Sequence, residues 1–272
     1  MLTLYPGLTV SNRNFTVVLS HQKPSRVIIS VPHDCLIVND FVNMFQARKS
    51  GPIVRDMYVW PIVNDIVWHS LRSEMKIDAT RFLLSRAYVD ANREREGELN
   101  LCPDTLGQTA FDDPNLAIVY EQYHGELEKL IRRSVHEHGT ENILLLDMHG
   151  FSKQPSFVHD WGGMDRYSPF DLILGTASRM TIKHGEVDRQ FASFMAKKDY
   201  AVFLPHEKPI LLEGDPYSAG HITRLYAEKY GINAIQIEIS STCRRADINK
   251  DAKERGQKLA KDIAEFLSVH YK

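Results

Sequence analysis

Residues 143–150 read ILLLDMHG: four aliphatic side chains in a row, then an acid, a spacer, a histidine and a glycine. An unbroken apolar run bounded by polar residues is the pattern of a strand buried on both faces, such as a central strand of a sheet covered by helices. Strand side chains alternate between faces, so Asp147 and His149, two apart, project to the same side at the strand's carboxyl end. In open α/β sheets ligands collect at that edge. A metal ligand fits there, although a lone histidine after a buried strand is more often a hydrogen-bonded loop residue.

Outward from this stretch the chain alternates between two periodicities. Residues 15–20 and 26–31 (RVIISV) are strand-like, as are 81–84, 87–89, 170–175, 201–204 and 234–239. In the last of these, AIQIEI, Gln236 and Glu238 share one face and three isoleucines the other. Apolar residues recur at helical spacing over about 61–73, 115–138, 186–198, 222–230 and 247–269, with Gly139 closing the second helix. This alternation implies an α/β fold: a single domain over 1–272 with a mostly parallel or mixed central sheet and helices on both faces. The tract 36–51 reads as a loop or short helix, and RDMYVW (55–60) as a loop or short strand delivering Asp56. Tracts 93–114, 151–169 and 205–220 lack periodicity, and loops this long commonly border a functional site.

Composition narrows the function classes. The chain has 272 residues, 43% hydrophobic and 25% charged, with a formal net charge of −2, as expected of an ordinary globular enzyme. Near-neutral charge argues against a nucleic-acid or membrane partner. Cys35, Cys102 and Cys243 are far apart, which indicates neither a disulfide framework nor a zinc ribbon and favours a reducing compartment. With no leader-like amino terminus and no run of about 18 apolar residues, the expected location is cytoplasmic. Absent too are GxSxG, a phosphate-binding P-loop, GxGxxG and HExxH, which disfavours serine hydrolases, nucleotide hydrolases, dinucleotide enzymes and helix-borne zinc proteases.

What remains is a set of polar residues at or within strands: Pro32-His33, Asp90 to Arg93, Asp147 to Gly150, and Gln236 to Glu238. With VPHDC, RDMYVWPIV, SRAYVDANR, YEQYHGEL, LLLDMHG, DLILGT and GHITRLYAEKYGINAIQIEIS in that order over about 31–241, the chain resembles the N-formylglutamate amidohydrolase family. These are zinc-dependent amide hydrolases related in fold to the zinc carboxypeptidases and to the deacylases of aspartate and succinylglutamate.

The resemblance implies a zinc ion held by His33, Asp56 and His149, the set of three protein ligands that leaves a fourth position for water. Asp34 and Asp65 also lie in the region of the carboxylate ligand, and Asp56 has Arg55 as a possible partner. Cys35 is expected to pack under its turn. Glu238 is the implied general base, unless it forms a structural ion pair with Arg244 or Arg245. Arg86 is implied in oxyanion stabilisation, with Asn92, Arg93 and His221 facing the substrate, unless Arg86 and Arg93 only solvate a charged loop. Asp90 would orient this cationic group, and Asp147 would fix a metal-binding imidazole through its other ring nitrogen. His221 stands where the family has a second glycine and Asp34-Cys35 replaces a Ser-Gly pair; both changes are expected to crowd the pocket.

The implied activity is zinc-dependent cleavage of a small N-acyl amino acid, with N-formylglutamate the family's reference substrate. A carboxypeptidase-like or other amide hydrolase using the same metal and base is the alternative, and a non-catalytic metal-binding member of the fold is a third reading. The sequence sets no oligomeric state.

Overall fold

The structure, a computed structural model, describes residues 2–5, 8–13, 15–35, 44–95, 108–152, 169–205, 217–247 and 250–272. Its strands are β1 (Leu2–Tyr5), β2 (Leu8–Arg13), β3 (Thr16–His21), β4 (Val27–Val31), β5 (Ile77–Phe82), β6 (Leu144–Phe151), β7 (Leu172–Gly175), β8 (Val202–Phe203) and β9 (Asn233–Ser240). Its helices are α1 (Val59–Arg72), α2 (Ala117–His138), α3 (Val187–Lys197), α4 (His221–Tyr230) and α5 (Ala252–His270).

All nine described strands join one sheet in the order β1-β2-β3-β5-β4-β6-β9-β7-β8. Its centre, β5-β4-β6-β9, is parallel. β1, β2 and β3 extend one edge antiparallel, and β7 pairs antiparallel with β9. The fold is therefore a single α/β domain on a mixed sheet, with β6 at its middle.

Two cores cover the two faces. Leu144, Leu146 and Met148 of β6, with Ile235, Ile237 and Ile239 of β9, pack with apolar residues of α1, α3 and α5. On the opposite face Leu145 and Ala234 meet the aromatic and aliphatic stripe of α2 and α4, including Tyr123, Leu127 and Tyr226. By alternation Asp147, His149, Gln236 and Glu238 continue this second face toward the carboxyl edge, and the register sets Asp147 opposite Gln236 and His149 opposite Glu238. Apolar cover thus gives way to polar side chains in two neighbouring strands at the same level.

Several local expectations shift. The strand expected at 81–84 is β5, four residues earlier, and 87–89 lies in a turn. Asp78 and Thr80 break the apolar pattern of β5, yet both are buried, Asp78 bonding the His21 N–H at 2.8 Å. The amino-terminal strands β1 and β2 carry no clear alternation and owe their strand state to pairing. Helix α2 ends at Gly139, whose φ of 78° suits a residue without Cβ. Most of the three long polar tracts, at 96–107, 153–168 and 206–216, and residues 36–43 of the first tract, fall outside the described residues.

Candidate active site

His33 follows β4 by two residues, Asp56 precedes α1 by three, and His149 sits within β6. Parallel pairing of β4 with β6 brings the two histidines to one edge, their ring centroids 4.9 Å apart. Asp56 closes the group: its Oδ2 lies 3.4 Å from His33 Nδ1 and 3.2 Å from His149 Nδ1. All three are buried, and their ligand atoms lie within 4.8 Å of one another. Asp56 is carried there by its own N–H, which donates to the His33 carbonyl at 3.0 Å.

Each histidine has its far nitrogen on a second carboxylate. His33 Nε2 is 2.7 Å from Asp90 Oδ1, and His149 Nε2 is 2.9 Å from Asp147 Oδ2. Asp147 also accepts from Ser30 Oγ at 2.9 Å, and Ser30 in turn meets the Tyr123 hydroxyl at 2.8 Å. Asp90 accepts from Arg86 Nε at 2.8 Å and the Asn92 N–H at 3.0 Å. Arg48 and Arg93 stand 3.5 and 4.0 Å from it. Carboxylates behind imidazoles fix ring orientation and tautomer, the usual outer arrangement of metal-binding histidines.

Charge follows from these contacts. Burial opposes ionisation of Asp56, but the His149 imidazole bonded to it and the His33 ring 3.4 Å away outweigh that and hold the carboxyl well below its usual range. Asp90 is likewise held low against burial, chiefly by Arg86. Burial disfavours charge on His149, yet Asp147, Asp56 and Glu238 raise its pKa well above the ordinary histidine value. Glu238 goes the other way: burial, aided by the Asp56 charge, pushes it up to about 7. The two site carboxyls are therefore separated in proton affinity, as in acid–base sites.

The residues present fit a divalent cation. His33 Nδ1 is buried without a hydrogen-bond partner, facing Asp56, an expensive state unless a further group completes it. Two imidazoles and one carboxylate are a donor set of catalytic zinc sites, and tetrahedral bonds of about 2.0–2.2 Å put neighbouring donors roughly 3.3–3.6 Å apart. The spacings to Asp56 of 3.2 and 3.4 Å are close to that.

The alternatives left open by the sequence are resolved geometrically. Asp34 lies outside the metal group: its carboxylate accepts the N–H groups of Tyr58 at 3.2 Å and Trp60 at 2.6 Å, at the start of α1. It caps a helix instead of crowding the pocket. Asp65 is half-buried on α1, outside the cluster. Glu238 pairs with neither arginine proposed for it: Arg244 bonds main-chain carbonyls and Arg245 bonds Asp247. Its carboxylate instead accepts from Gln236 Nε2 at 2.9 Å, while Gln236 Oε1 accepts the Gly220 N–H at 2.5 Å.

Asn92 Oδ1 accepts the Ile222 N–H at 2.9 Å, which turns Nδ2 toward His149 at 3.2 Å. A Cβ on Gly220 would lie 2.2 Å from that Nδ2, so the glycine of GHITR makes room for the amide. Arg93 Nε donates to Gln108 Oε1 at 3.1 Å, and Arg86 is part-buried, with Asp90 as the main charge acting to raise its pKa. Neither arginine is a solvated loop charge. His221 is buried at the first turn of α4, 5.7 Å from the His124 ring, with Nδ1 lacking a hydrogen-bond partner. Burial pushes its pKa down to about 4, so it is neutral near pH 7.

Sequence reasoning missed Arg48, which is buried and bonds the carbonyls of Pro52, Arg86 and Thr109. From the sequence, Arg244 enters only as a possible partner for Glu238. The signal for Arg244 was present as Gly150, whose Cβ would meet the guanidinium at 2.3 Å.

An α/β domain with a His-Asp-His group able to hold a metal ion, set beside a buried carboxyl at the carboxyl edge of its sheet, has the layout of a metal-dependent hydrolase. The sequence profile of the N-formylglutamate amidohydrolase family matches residues 25–243, and the chain belongs to that family. Its fold is similar to that of N-formylglutamate amidohydrolase from Ralstonia eutropha JMP134, at 16% identity and a TM-score of 0.62 over 93% of this chain and 98% of the other. It is similar also to that of a gene product from Agrobacterium tumefaciens, at 14% identity and a TM-score of 0.54 over 91% and 89%. A metallo-carboxypeptidase from Burkholderia cenocepacia aligns with a TM-score of 0.45 and 13% identity over 98% of this chain and 66% of its own. No curated protein matches. Among the described residues, no helix is long and apolar enough to cross a membrane.

Proposed function

We propose that the protein is a zinc-dependent amidohydrolase acting on a small N-acyl amino acid of the N-formylglutamate kind. The observation that supports this most is the convergence of His33, Asp56 and His149, with His149 paired across the strands to Glu238. A bound divalent cation supplies a Lewis acid for the scissile carbonyl and acidifies water.

The chain's own residues do the rest. Glu238, held near neutrality by burial, takes a proton from the attacking water and delivers it to the leaving nitrogen as the C–N bond breaks. Gln236 keeps that carboxylate aimed by donating to Oε1. Arg86, charged and anchored on Asp90, stabilises the negative oxygen that develops on the carbonyl. Arg48, Arg86 and Arg93 gather around Asp90, which makes this wall cationic, and Asn92 and Arg93 bind the substrate carboxylate there. The Nδ1 of neutral His221, which has Glu94 Oε1 4.0 Å away but no hydrogen bond among the described residues, gains one with the substrate.

The test is metal analysis of the purified protein together with assay of Glu238→Gln on N-acyl amino acids. Removing the base lowers turnover by about 100-fold to 10,000-fold while zinc content stays at one per chain. Turnover equal to the wild type would remove Glu238 from the mechanism, and protein that takes up no divalent ion would remove the metal.

A further inference from the structure

One guanidinium touches main chain beside three of the four central groups. Arg244 is buried, and among the described residues its guanidinium bonds three carbonyl oxygens: Nη1 donates to Met57 at 2.6 Å, Nη2 to Phe151 at 3.0 Å and Nε to Ile239 at 3.0 Å. Met57 follows Asp56, Phe151 lies two beyond His149, and Ile239 follows Glu238. The three segments come from a loop and two strands far apart in sequence; β6 and β9 pair directly at this level, and this side chain ties the loop after Asp56 to both of them. Its seat requires Gly150, because any Cβ there would overlap Nε and Cζ at 2.3 and 2.4 Å.

Burying a cation is costly even with the Asp56 and Glu238 charges near enough to act on it, so a role confined to tying strand ends would be served more cheaply by neutral side chains. What distinguishes Arg244 is reach: a planar fork with donors in fixed directions can hold three carbonyls at set distances from one another. We propose that Arg244 is a positioning residue that fixes Asp56, His149 and Glu238 relative to one another, thereby setting metal affinity and the placement of the base. This rests on the metal reading of the site given above.

The test is zinc affinity of the full chain, measured by competition with a chromophoric chelator, for the wild type, Arg244→Met, Arg244→Lys and Gly150→Ala. Loss of an outer support typically weakens metal binding about 10-fold to 100-fold, and that loss is expected for Arg244→Met. Lysine, which keeps one donor head, loses less. Gly150→Ala, which evicts the guanidinium from its seat while leaving it in the chain, matches the methionine variant. Leu259→Ala, in the core on the sheet face opposite the metal group, serves as the control: it lowers the melting temperature and leaves zinc affinity unchanged.

Folded Arg244→Met or Gly150→Ala with wild-type zinc affinity overturns the proposal. Should neither fold, Arg244→Lys decides on the same readout, an unchanged affinity again overturning it. Wild type that binds no zinc refutes the metal centre and this proposal with it, whereas tight binding by wild type and folded variants alike refutes the role of Arg244 alone.

Discussion

Glu238 and Asp56 are both buried carboxyls of one site, yet burial wins at Glu238 and loses at Asp56, because only Asp56 has two imidazoles within 3.4 Å of it. The consequence for stability has a definite sign. In metal-free protein the folded state keeps the Glu238 proton up to about pH 7, while the unfolded chain releases it in the ordinary carboxyl range. Between those limits the folded state binds more protons, so the Glu238 contribution to stability falls as pH rises. Melting curves of chelator-treated wild type and Glu238→Gln from pH 5 to 7.5 isolate this contribution: the wild type should lose ground relative to the variant across the window, and parallel curves would contradict the assignment. The same contrast explains why the residues were legible. A glutamate between isoleucines and a histidine after four aliphatics stand out in sequence, whereas their proton affinities depend on neighbours from β4, β9 and the loop before α1.

At the scale of elements, the turn after β4 and the start of α1 form one unit. Asp34 accepts two N–H groups at the head of α1, Arg81 of β5 donates to the Asp34 carbonyl at 2.6 Å, and the Asp56 N–H donates to His33. Helix α1 has no cap from its own flanking residue, so this distant carboxylate serves instead. Asp34→Ala should cost about 0.5–2 kcal/mol of stability and speed hydrogen exchange at the Trp60 amide, with zinc binding weakened because Asp56 loosens with the helix start. Unchanged exchange at Trp60 would show that the cap is energetically silent. In sequence Asp34 read as a pocket substitution, since the distance between β4 and α1 conceals a cap that spans over twenty residues. Gly220 was similarly opaque: the need for a small residue comes from the Asn92 amide lying 2.2 Å from where its Cβ would be.

For the whole molecule, His33, Asp56 and His149 join β4, β6 and the approach to α1, so an ion held there would be linked to folding. Zinc at a hundredfold excess over its Kd adds about 2.7 kcal/mol of stability. For a chain of this size that is about 5 °C in melting temperature. Calorimetry with and without a chelator measures the shift, and Asp56→Asn, which weakens the ligand set, should reduce it. A shift equal in Asp56→Asn and wild type would place the ion elsewhere.

The α/β class, the central strand, the polar face of AIQIEI and the ordered motifs around His33, His149 and Glu238 follow from sequence alone, because periodicity is local and motif order survives folding. The antiparallel edge of β1 to β3, the extent of β5 and the choice of Asp56 over Asp34 do not. Those depend on pairing and on which carboxylate reaches two imidazoles, and both are decided between segments distant along the chain. The sequence could nominate each donor, but only the sheet's register, with His149 level with Glu238 and Arg244 spanning the strand ends, brings them to one point.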